Sequence, residues 1–194
     1  MTTTYTLDEM LTLIVIVSFL GFCLENVWLA LRKGYIDNRN MYLPFLFGYG
    51  LAVSGGYLVF GLPDAEHLER YWITVFIAVS VGEILLGTAT EHFCGYIYWD
   101  YSSIPLHITR YTSVPTSFAF ACIITLFMGK CFTPLMLWIS MLPSIITHYG
   151  FRTIFLLIAA DWLRCSHDMR TAHALNERWR ITLSARKQTN EKIA

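Results

Sequence analysis

A series of long, nearly uncharged apolar segments runs along this chain. The first extends from Leu7 to Leu31, and crossing the hydrocarbon core of a bilayer takes about 20 apolar residues. The 194 residues are 55% hydrophobic and only 14% charged, whereas a soluble domain has about 25% charged residues. Much of the surface must therefore meet lipid, and the sequence predicts an integral membrane protein.

Further apolar segments cover residues 42–62, 71–98, 114–128 and 143–163. The predicted fold is therefore all-α, a polytopic transmembrane helix bundle of five spans. Gly129 and Lys130 are expected to end the fourth span. Residues 132–163 would form a helix of roughly 48 Å, too long for one upright span, so Phe132 to Leu142 is predicted as a short interfacial segment. Six spans is the alternative.

Lysine and arginine residues set the predicted orientation, because they concentrate in cytoplasmic segments. The segment after Leu163 is basic and is taken as cytoplasmic, which with five spans leaves the N-terminus outside. We expect a transmembrane domain at 1–163 and a cytoplasmic tail at 164–194, either solvated or lying on the bilayer as an amphipathic helix. The basic residues of the tail are Arg164, Arg170, Arg178, Arg180, Arg186, Lys187 and Lys192.

Several classes of function are excluded by what the sequence lacks. The formal net charge is zero, so nucleic acid is not an expected partner. No GxxxxGK[ST] motif is present, so ATP use would require a separate ATPase subunit. No His or Cys spacing indicates a metal site, and no cofactor motif is present. No internal repeat is evident, and the five cysteines resemble small buried hydrophobes.

Carboxylates inside the apolar segments are the candidate functional groups, because such groups are costly and rare there unless they face a partner or a wet cavity. Glu83 and Glu91 lie eight residues apart in the third span, which on a helix is about 12 Å of rise and roughly 80° of rotation. They share a broad face, and Gly87 leaves space between them. Glu25, in the first span, is expected at a depth similar to Glu91.

Arg152 lies in the middle of the last predicted span and is the expected partner of Glu83, with His148 one turn earlier in the same network. A buried Glu–Arg pair can also hold helices together without any ligand. With three carboxylates nearby we expect a polar cavity. An unpaired, desolvated glutamate there would carry protons at physiological pH.

Two loops are expected on the cytoplasmic side of this cavity. Trp99 and Asp100 leave the third span there, and Arg39 lies in the first loop. Arg39 or Arg110 is expected to meet Asp100 and close the cavity. The simpler alternative is that Trp99 marks the membrane interface and that Asp100 forms a turn.

These residues together resemble the putative ABC-transporter type IV (CmpB-like) family of small bacterial multi-pass membrane proteins. The resemblance covers about residues 18–125. Its elements are Gly21-x-x-x-Glu25, Asn38-Arg39, Leu43-Pro44, Phe47-Gly48-Tyr49-Gly50, Glu83-x-x-x-Gly87-x-x-x-Glu91 and Trp99-Asp100-Tyr101-Ser102 with Pro105. The chain departs from the family at Asn40, His107, Arg110 and Thr116. The resemblance implies a transport role in the bacterial cytoplasmic membrane, and it supports Glu25, Glu83, Glu91 and Asp100 as site residues.

The predicted function is therefore a permease-like transporter component, not an enzyme, with a carboxylate-lined site for a small-molecule substrate. Expected partners are membrane lipids and either a separate ATPase subunit or a second copy of the chain. One alternative is a membrane-embedded enzyme that acts on a lipid or isoprenoid by acid–base chemistry. Another is a non-catalytic assembly or regulatory subunit.

Overall fold

The computed structural model describes residues 5–183. Within this range the chain forms five helices, which confirms the all-α prediction. They are α1 (Leu7–Lys33), α2 (Phe47–Phe60), α3 (Leu68–Cys94), α4 (Val114–Ser140) and α5 (Arg152–Ala172).

Local sequence signals fix several helix ends. The Thr6 side chain accepts the backbone N–H of Glu9, and the Glu9 carboxylate accepts the backbone N–H of Thr6, so a capping box begins α1. Gly34 ends α1 with φ 73°. Pro115 lies in the first turn of α4. Gly95 ends α3 with φ 65°, a few residues before the predicted boundary at 98.

Three stretches are long and apolar enough to cross a membrane: Leu7–Lys33, Ala65–Cys94 and Val114–Ser140. Helix α2 has 14 residues and is shorter than a spanning helix. Helix α5 is not among the candidate spans. The count of five spans and the orientation of the termini therefore stay predictions.

The predicted end of the fourth span at Gly129 and Lys130 is wrong. These residues lie in a π-helical turn, Phe127–Cys131, and the helix continues to Ser140. The predicted interfacial segment after it is core instead, because the Phe132 ring stacks on Tyr57 with 4.6 Å between ring centroids. Three side chains of this part of α4 are fully buried, namely Phe132, Met136 and Ile139.

Helices α1 and α2 pack most closely and run antiparallel. Tyr49, early in α2, lies against Gly21, whereas Tyr57, near its end, contacts Tyr5 at 5.6 Å between ring centroids. A Cβ added to Gly50 would lie under 3.0 Å from the backbone oxygen of Ile14. Only glycine therefore allows this approach of the two helices.

Two small antiparallel sheets cover the loops, and neither was predicted. Strand β1 (Tyr35–Asp37) pairs with β4 (Arg180–Thr182), and β2 (His107–Thr109) pairs with β3 (Thr112–Ser113). The first sheet includes the start of the loop between α1 and α2.

The pairing of β1 with β4 shows that the described part of the basic tail forms no amphipathic helix after Ala172. It returns to the first loop. Its residues after Ala172 are mostly exposed, so a solvated tail stays a prediction. The division at 163/164 stays a prediction, and Arg186, Lys187 and Lys192 lie outside the described residues.

Candidate functional site

The connection between β1 and α2 is non-helical and lies inside the bundle. The backbone N–H of Leu46 donates to the carbonyl of Ser18, near the middle of α1, at 2.9 Å. The N–H groups of Tyr42 and Leu43 donate to the buried carboxylate of Asp161 on α5, at 3.2 and 3.0 Å. Because buried backbone donors need partners, α1 and α5 together allow this loop to enter the bundle.

A carboxylate, an arginine and a tyrosine form what we term the first cluster: Glu25, Arg39 and Tyr49. The Tyr49 hydroxyl donates to one oxygen of Glu25 at 2.5 Å, and Arg39 Nη2 donates to the other at 3.1 Å. The side chains of Glu25 and Arg39 are only 20% and 24% exposed. Gly21 positions the tyrosine, because a Cβ there would lie under 3.0 Å from the Tyr49 ring.

Arg39 is held from two further sides. Its backbone N–H donates to Asp37 Oδ1 at 2.8 Å, and the Tyr98 hydroxyl donates to its carbonyl at 2.9 Å. Burial raises the pKa of Tyr98 to about 12, so this phenol keeps its proton. Burial opposes the charge of Arg39, but its neighbours, Glu25 first and then Tyr98, Asp37 and Tyr49, together outweigh burial and raise the pKa of Arg39. The guanidinium therefore stays charged beside Glu25.

Glu83 has hydroxyl partners instead of a basic one. Thr112 Oγ1 donates to Glu83 Oε2 at 2.6 Å, and Ser117 Oγ donates to the same oxygen at 3.1 Å. Both hydroxyl residues are fully buried. Along residues 5–183, Glu83 takes part in no salt bridge.

The predicted Glu83–Arg152 pair is wrong. Arg152 donates to Asp8 in the first turn of α1, from Nε at 3.1 Å and also from Nη2, and His148 Nδ1 lies 2.9 Å from the other oxygen of Asp8. The sequence did not indicate Asp8 as a partner of Arg152, because Asp8 lies at the N-terminal end of the first apolar segment and not inside it. Since Asp8 begins α1, this contact places Arg152 at the end of the bundle and not at its centre.

The second cluster consists of Glu91, Arg110 and Tyr111. The Tyr111 hydroxyl donates to Glu91 Oε2, and Arg110 Nη1 lies 3.6 Å from Glu91 Oε1. The Tyr111 ring covers Gly87, where a Cβ would lie under 3.0 Å from it. The space expected beside Gly87 is therefore filled by Tyr111. Glu91 is 42% exposed, so this cluster is wetter than the first.

Asp100 meets neither arginine, which corrects the prediction that Arg39 or Arg110 would pair with it. Its Oδ1 accepts the backbone N–H of Ser102 at 2.8 Å, and this residue's hydrogen bonds lower the pKa of Asp100. Asp100 is exposed and forms a turn. Trp99 is half-buried, and its indole N–H donates to the carbonyl of Tyr111 at 2.8 Å, so it supports the second cluster.

Tyr101 lies in the loop between α3 and β2, where its backbone N–H donates to the carbonyl of Arg110 at 2.8 Å. Burial raises the pKa of its phenol, and the negative charges of Glu83 and then Glu25 raise it further. The phenol of Tyr101 therefore keeps its proton.

The C-terminal segment covers the loop that carries Arg39. Asn38 Nδ2 donates to the carbonyl of Asn176 at 2.7 Å, and the N–H of Asn176 donates to Asn40 Oδ1 at 2.6 Å. A cavity of about 40 Å³ lies between these residues, Arg39 and Tyr98. It has room for a few water molecules, each of which needs about 10–15 Å³.

Sequence reasoning found Glu25, Glu83 and Glu91 but missed the buried Asp161 and most of the side chains that contact these acids. The contacts join segments far apart in the chain, and only the tertiary fold determines them. The residues missed are Asp8, Asp161, Tyr49, Tyr98, Tyr101, Tyr111, Thr112 and Ser117. The sequence does contain a signal for Tyr49 and Tyr111. Gly21 and Gly87 each lie four residues before a glutamate and leave room for an aromatic ring.

A family model with the description Putative ABC-transporter type IV matches residues 12–165. The match covers more than half of the chain and contains both clusters and Glu83, whereas Asp8 and strand β4 lie outside it. No curated protein and no solved structure matches the chain.

Proposed function

The chain belongs to the family of putative ABC-transporter type IV proteins, and we propose that it is the membrane-embedded, permease-like component of a transporter. Its family and its three long apolar helices indicate a membrane location. The proposed solute site lies between α1 and α3, around Glu25, Glu83 and Tyr101.

The entry of non-helical chain into the middle of the bundle carries this proposal. Leu46 reaches Ser18 in α1, and Thr112 reaches Glu83 in α3. Within a membrane, irregular backbone is tolerated only where protein buries it or where it lines a wet cavity. Transporters place their solute sites beside such interrupted segments. A bundle built only for packing has no need of either loop.

The charges of the proposed site indicate the kind of solute. They are the carboxylates of Glu83 and Glu25 and the guanidinium of Arg39, which pairs with Glu25 and leaves Glu83 with hydroxyl partners only. An uncompensated carboxylate in a dry interior is costly, so a cation or a proton is the species that this site favours. Tyrosine rings nearby suit a cationic solute further.

The proposal includes a separate ATPase subunit as the energy source, because the chain contains no P-loop motif. If the basic segment after Leu163 faces the cytoplasm, both clusters lie toward that side, since Glu25 and Glu91 are in the last parts of α1 and α3. The loops that carry Arg39 and Arg110 then face the ATPase.

Mass spectrometry of small molecules that co-purify with the protein tests this proposal. We expect a small cationic species with the wild type and its loss from Glu83→Gln, because the variant removes the uncompensated charge. Glu69→Gln, in an exposed part of α3, is the matched control and should retain the species.

Two results would contradict the proposal. One is that no small cation is bound by either protein. The other is a bound lipid or isoprenoid whose chemical structure, and not its amount, differs between wild type and Glu83→Gln, which would favour the enzyme.

A further inference from the structure

The first and second clusters are built in the same way. Each has a glycine on a long helix, a glutamate four residues later, a tyrosine ring packed on the glycine with its hydroxyl on the glutamate, and an arginine on the other carboxylate oxygen. The first uses α1 and the chain leading into α2. The second uses α3 and the chain leading into α4.

The sequences that follow the two arginines also correspond. Residues 39–50 read RNMYLPFLFGYG, and residues 110–121 read RYTSVPTSFAFA. In both, proline comes five residues after the arginine. A phenylalanine, a small residue, an aromatic residue and a second small residue then occupy the same positions. The shared pattern is Arg-x4-Pro-x2-Phe-[Gly/Ala]-[Tyr/Phe]-[Gly/Ala].

Corresponding residues also behave alike in the structure. Tyr49 and Phe120 occupy the same place in the pattern and contact each other, with 6.2 Å between ring centroids. Ser54 and Thr125 each follow their arginine by fifteen residues. Both have a buried hydroxyl without a hydrogen-bond partner among the described residues. Contact between equivalent residues is what a pseudo-twofold axis between α2 and α4 would produce.

An insertion hides this correspondence from a search for a fixed period. Glu25 and Arg39 are fourteen residues apart, whereas Glu91 and Arg110 are nineteen apart. The longer connection contains Tyr101, which senses Glu25 of the other half. The two copies have also diverged, because Tyr111 follows Arg110 directly, while Tyr49 lies ten residues after Arg39.

We infer that α1–α2 and α3 with the first part of α4 are two copies of one structural unit, and that Glu91, Arg110 and Tyr111 form a second site equivalent to the first cluster. This corrects the expectation that the chain has no internal repeat. Parallel repeats related by an axis along the membrane normal occur in transporters, with the solute site between them. The inference itself does not depend on transport.

Thiol labelling at equivalent positions tests this inference in detergent micelles, on the full chain with its native cysteines replaced. Met41→Cys and Thr112→Cys provide the thiols, since each lies two residues after its arginine and is buried. Gly21→Ala displaces Tyr49, and Gly87→Ala displaces Tyr111. Gly21→Ala should speed labelling at position 41, and Gly87→Ala should speed labelling at position 112. We expect an increase of at least about tenfold in each case, the effect of losing one charged hydrogen bond. Neither variant should change labelling at the other position.

Gly55→Ala and Gly82→Ala are matched controls, because a Cβ at either position has nothing within 4 Å; neither should alter labelling. Tyr49→Phe and Tyr111→Phe remove only the hydroxyls. They allow the labelling rates of the two clusters to be compared if an alanine variant does not fold. The inference is overturned if the first cluster responds and the second does not. In that case the variants of Gly21 and Tyr49 speed labelling at position 41, whereas those of Gly87 and Tyr111 leave labelling at position 112 unchanged. It is also overturned if neither thiol responds.

Discussion

Tyrosine hydroxyls satisfy two of the interior carboxylates of this protein. Tyr49 donates to Glu25 and Tyr111 donates to Glu91, and in both pairs the remaining carboxylate oxygen faces an arginine. Each of these carboxylates thus has a neutral donor on one oxygen and a cation near the other, because a phenol donates a hydrogen bond without adding charge. Glu83 differs, since its partners are hydroxyls alone.

Tyr49→Phe should destabilise the protein by about 1.5–3 kcal/mol, the range for a hydrogen bond to a charged group. The ring and its packing on Gly21 are kept, so the loss reports the hydroxyl alone. Unfolding free energy in micelles is the measurement. Tyr149→Phe, with the ring 67% exposed, is the control and should change stability little. An equal effect of the two changes would contradict the assigned Tyr49–Glu25 bond.

A double-mutant cycle separates the observed partner of Arg152 from the one that the sequence indicated. Asp8→Asn and Arg152→Gln should show a coupling of about 0.5–3 kcal/mol, as contacting charged groups do. Glu83→Gln and Arg152→Gln should be additive. Coupling between Glu83 and Arg152 with none to Asp8 would show that the contact of α5 with α1 is wrong.

At the residue scale, the sequence indicated Glu25, Glu83 and Glu91 but missed the buried Asp161, and it paired Glu83 with Arg152 instead of with hydroxyl groups. Hydropathy locates Glu83 and Arg152 within apolar segments and says nothing about which helices touch. The span predicted from Pro143 would place Arg152 at mid-membrane depth. Its contact with Asp8 instead places Arg152 level with the start of α1. Side chains supplied by loops, such as Thr112, carry no periodic signal.

Glycines determine how closely the helices approach, and they do so unequally. Gly50→Ala would bring a methyl group under 3.0 Å from the backbone oxygen of Ile14, which cannot move without shifting α1. We expect a loss of about 1–3 kcal/mol, typical of overpacking. Gly48→Ala, with nothing within 4 Å of the new methyl group, should be neutral or stabilise by up to about 1 kcal/mol. Unfolding in micelles measures both, and a reversed order would contradict the α1–α2 contact.

The contact between α5 and the loop before α2 should loosen in acid, and the C-terminal segment with it, because Arg178 of that segment lies over the Tyr42 ring in the loop. The Tyr42 hydroxyl donates to Asp168 Oδ2 at 2.5 Å, and this bond lowers the pKa of Asp168. Because the folded pKa lies below the unfolded value of about 3.9, the contact contributes fully above that value. Its contribution is lost as the pH falls through the folded pKa.

Fluorescence of Trp179, with the other tryptophans replaced by phenylalanine, can follow this acid transition. Asp168→Asn should abolish the part of the transition that belongs to the segment. An identical acid titration in that variant would show that Asp168 does not hold the segment.

At the element scale, apolar length predicted α1, the start of α4 and most of α3. They did not predict the continuation of α4, because a π turn admits Gly129 and Lys130 without ending the helix. The strands also escaped prediction. β1 and β4 are separated by most of the chain, and three-residue strands have no detectable alternation.

On the scale of the whole molecule, two pairs of helices lie side by side, and each pair has its own carboxylate cluster and a loop that enters the bundle. Membrane character followed from composition alone. The arrangement of the two pairs did not, because the insertion before Arg110 breaks the period that a repeat would show. The arrangement of the helices thus depends on contacts between residues that lie far apart in the sequence, such as Tyr49 and Phe120.

Thiol accessibility at Ser117→Cys tests the central claim, that the protein carries a solute site at the middle of its bundle. Ser117 is fully buried beside Glu83. In sealed vesicles, with the native cysteines replaced, a small membrane-impermeant methanethiosulfonate should modify this thiol from either face. The equally buried Ala121→Cys, in the packed core, should stay unmodified. Modification from one face only, or no faster than at position 121, would contradict the transporter account.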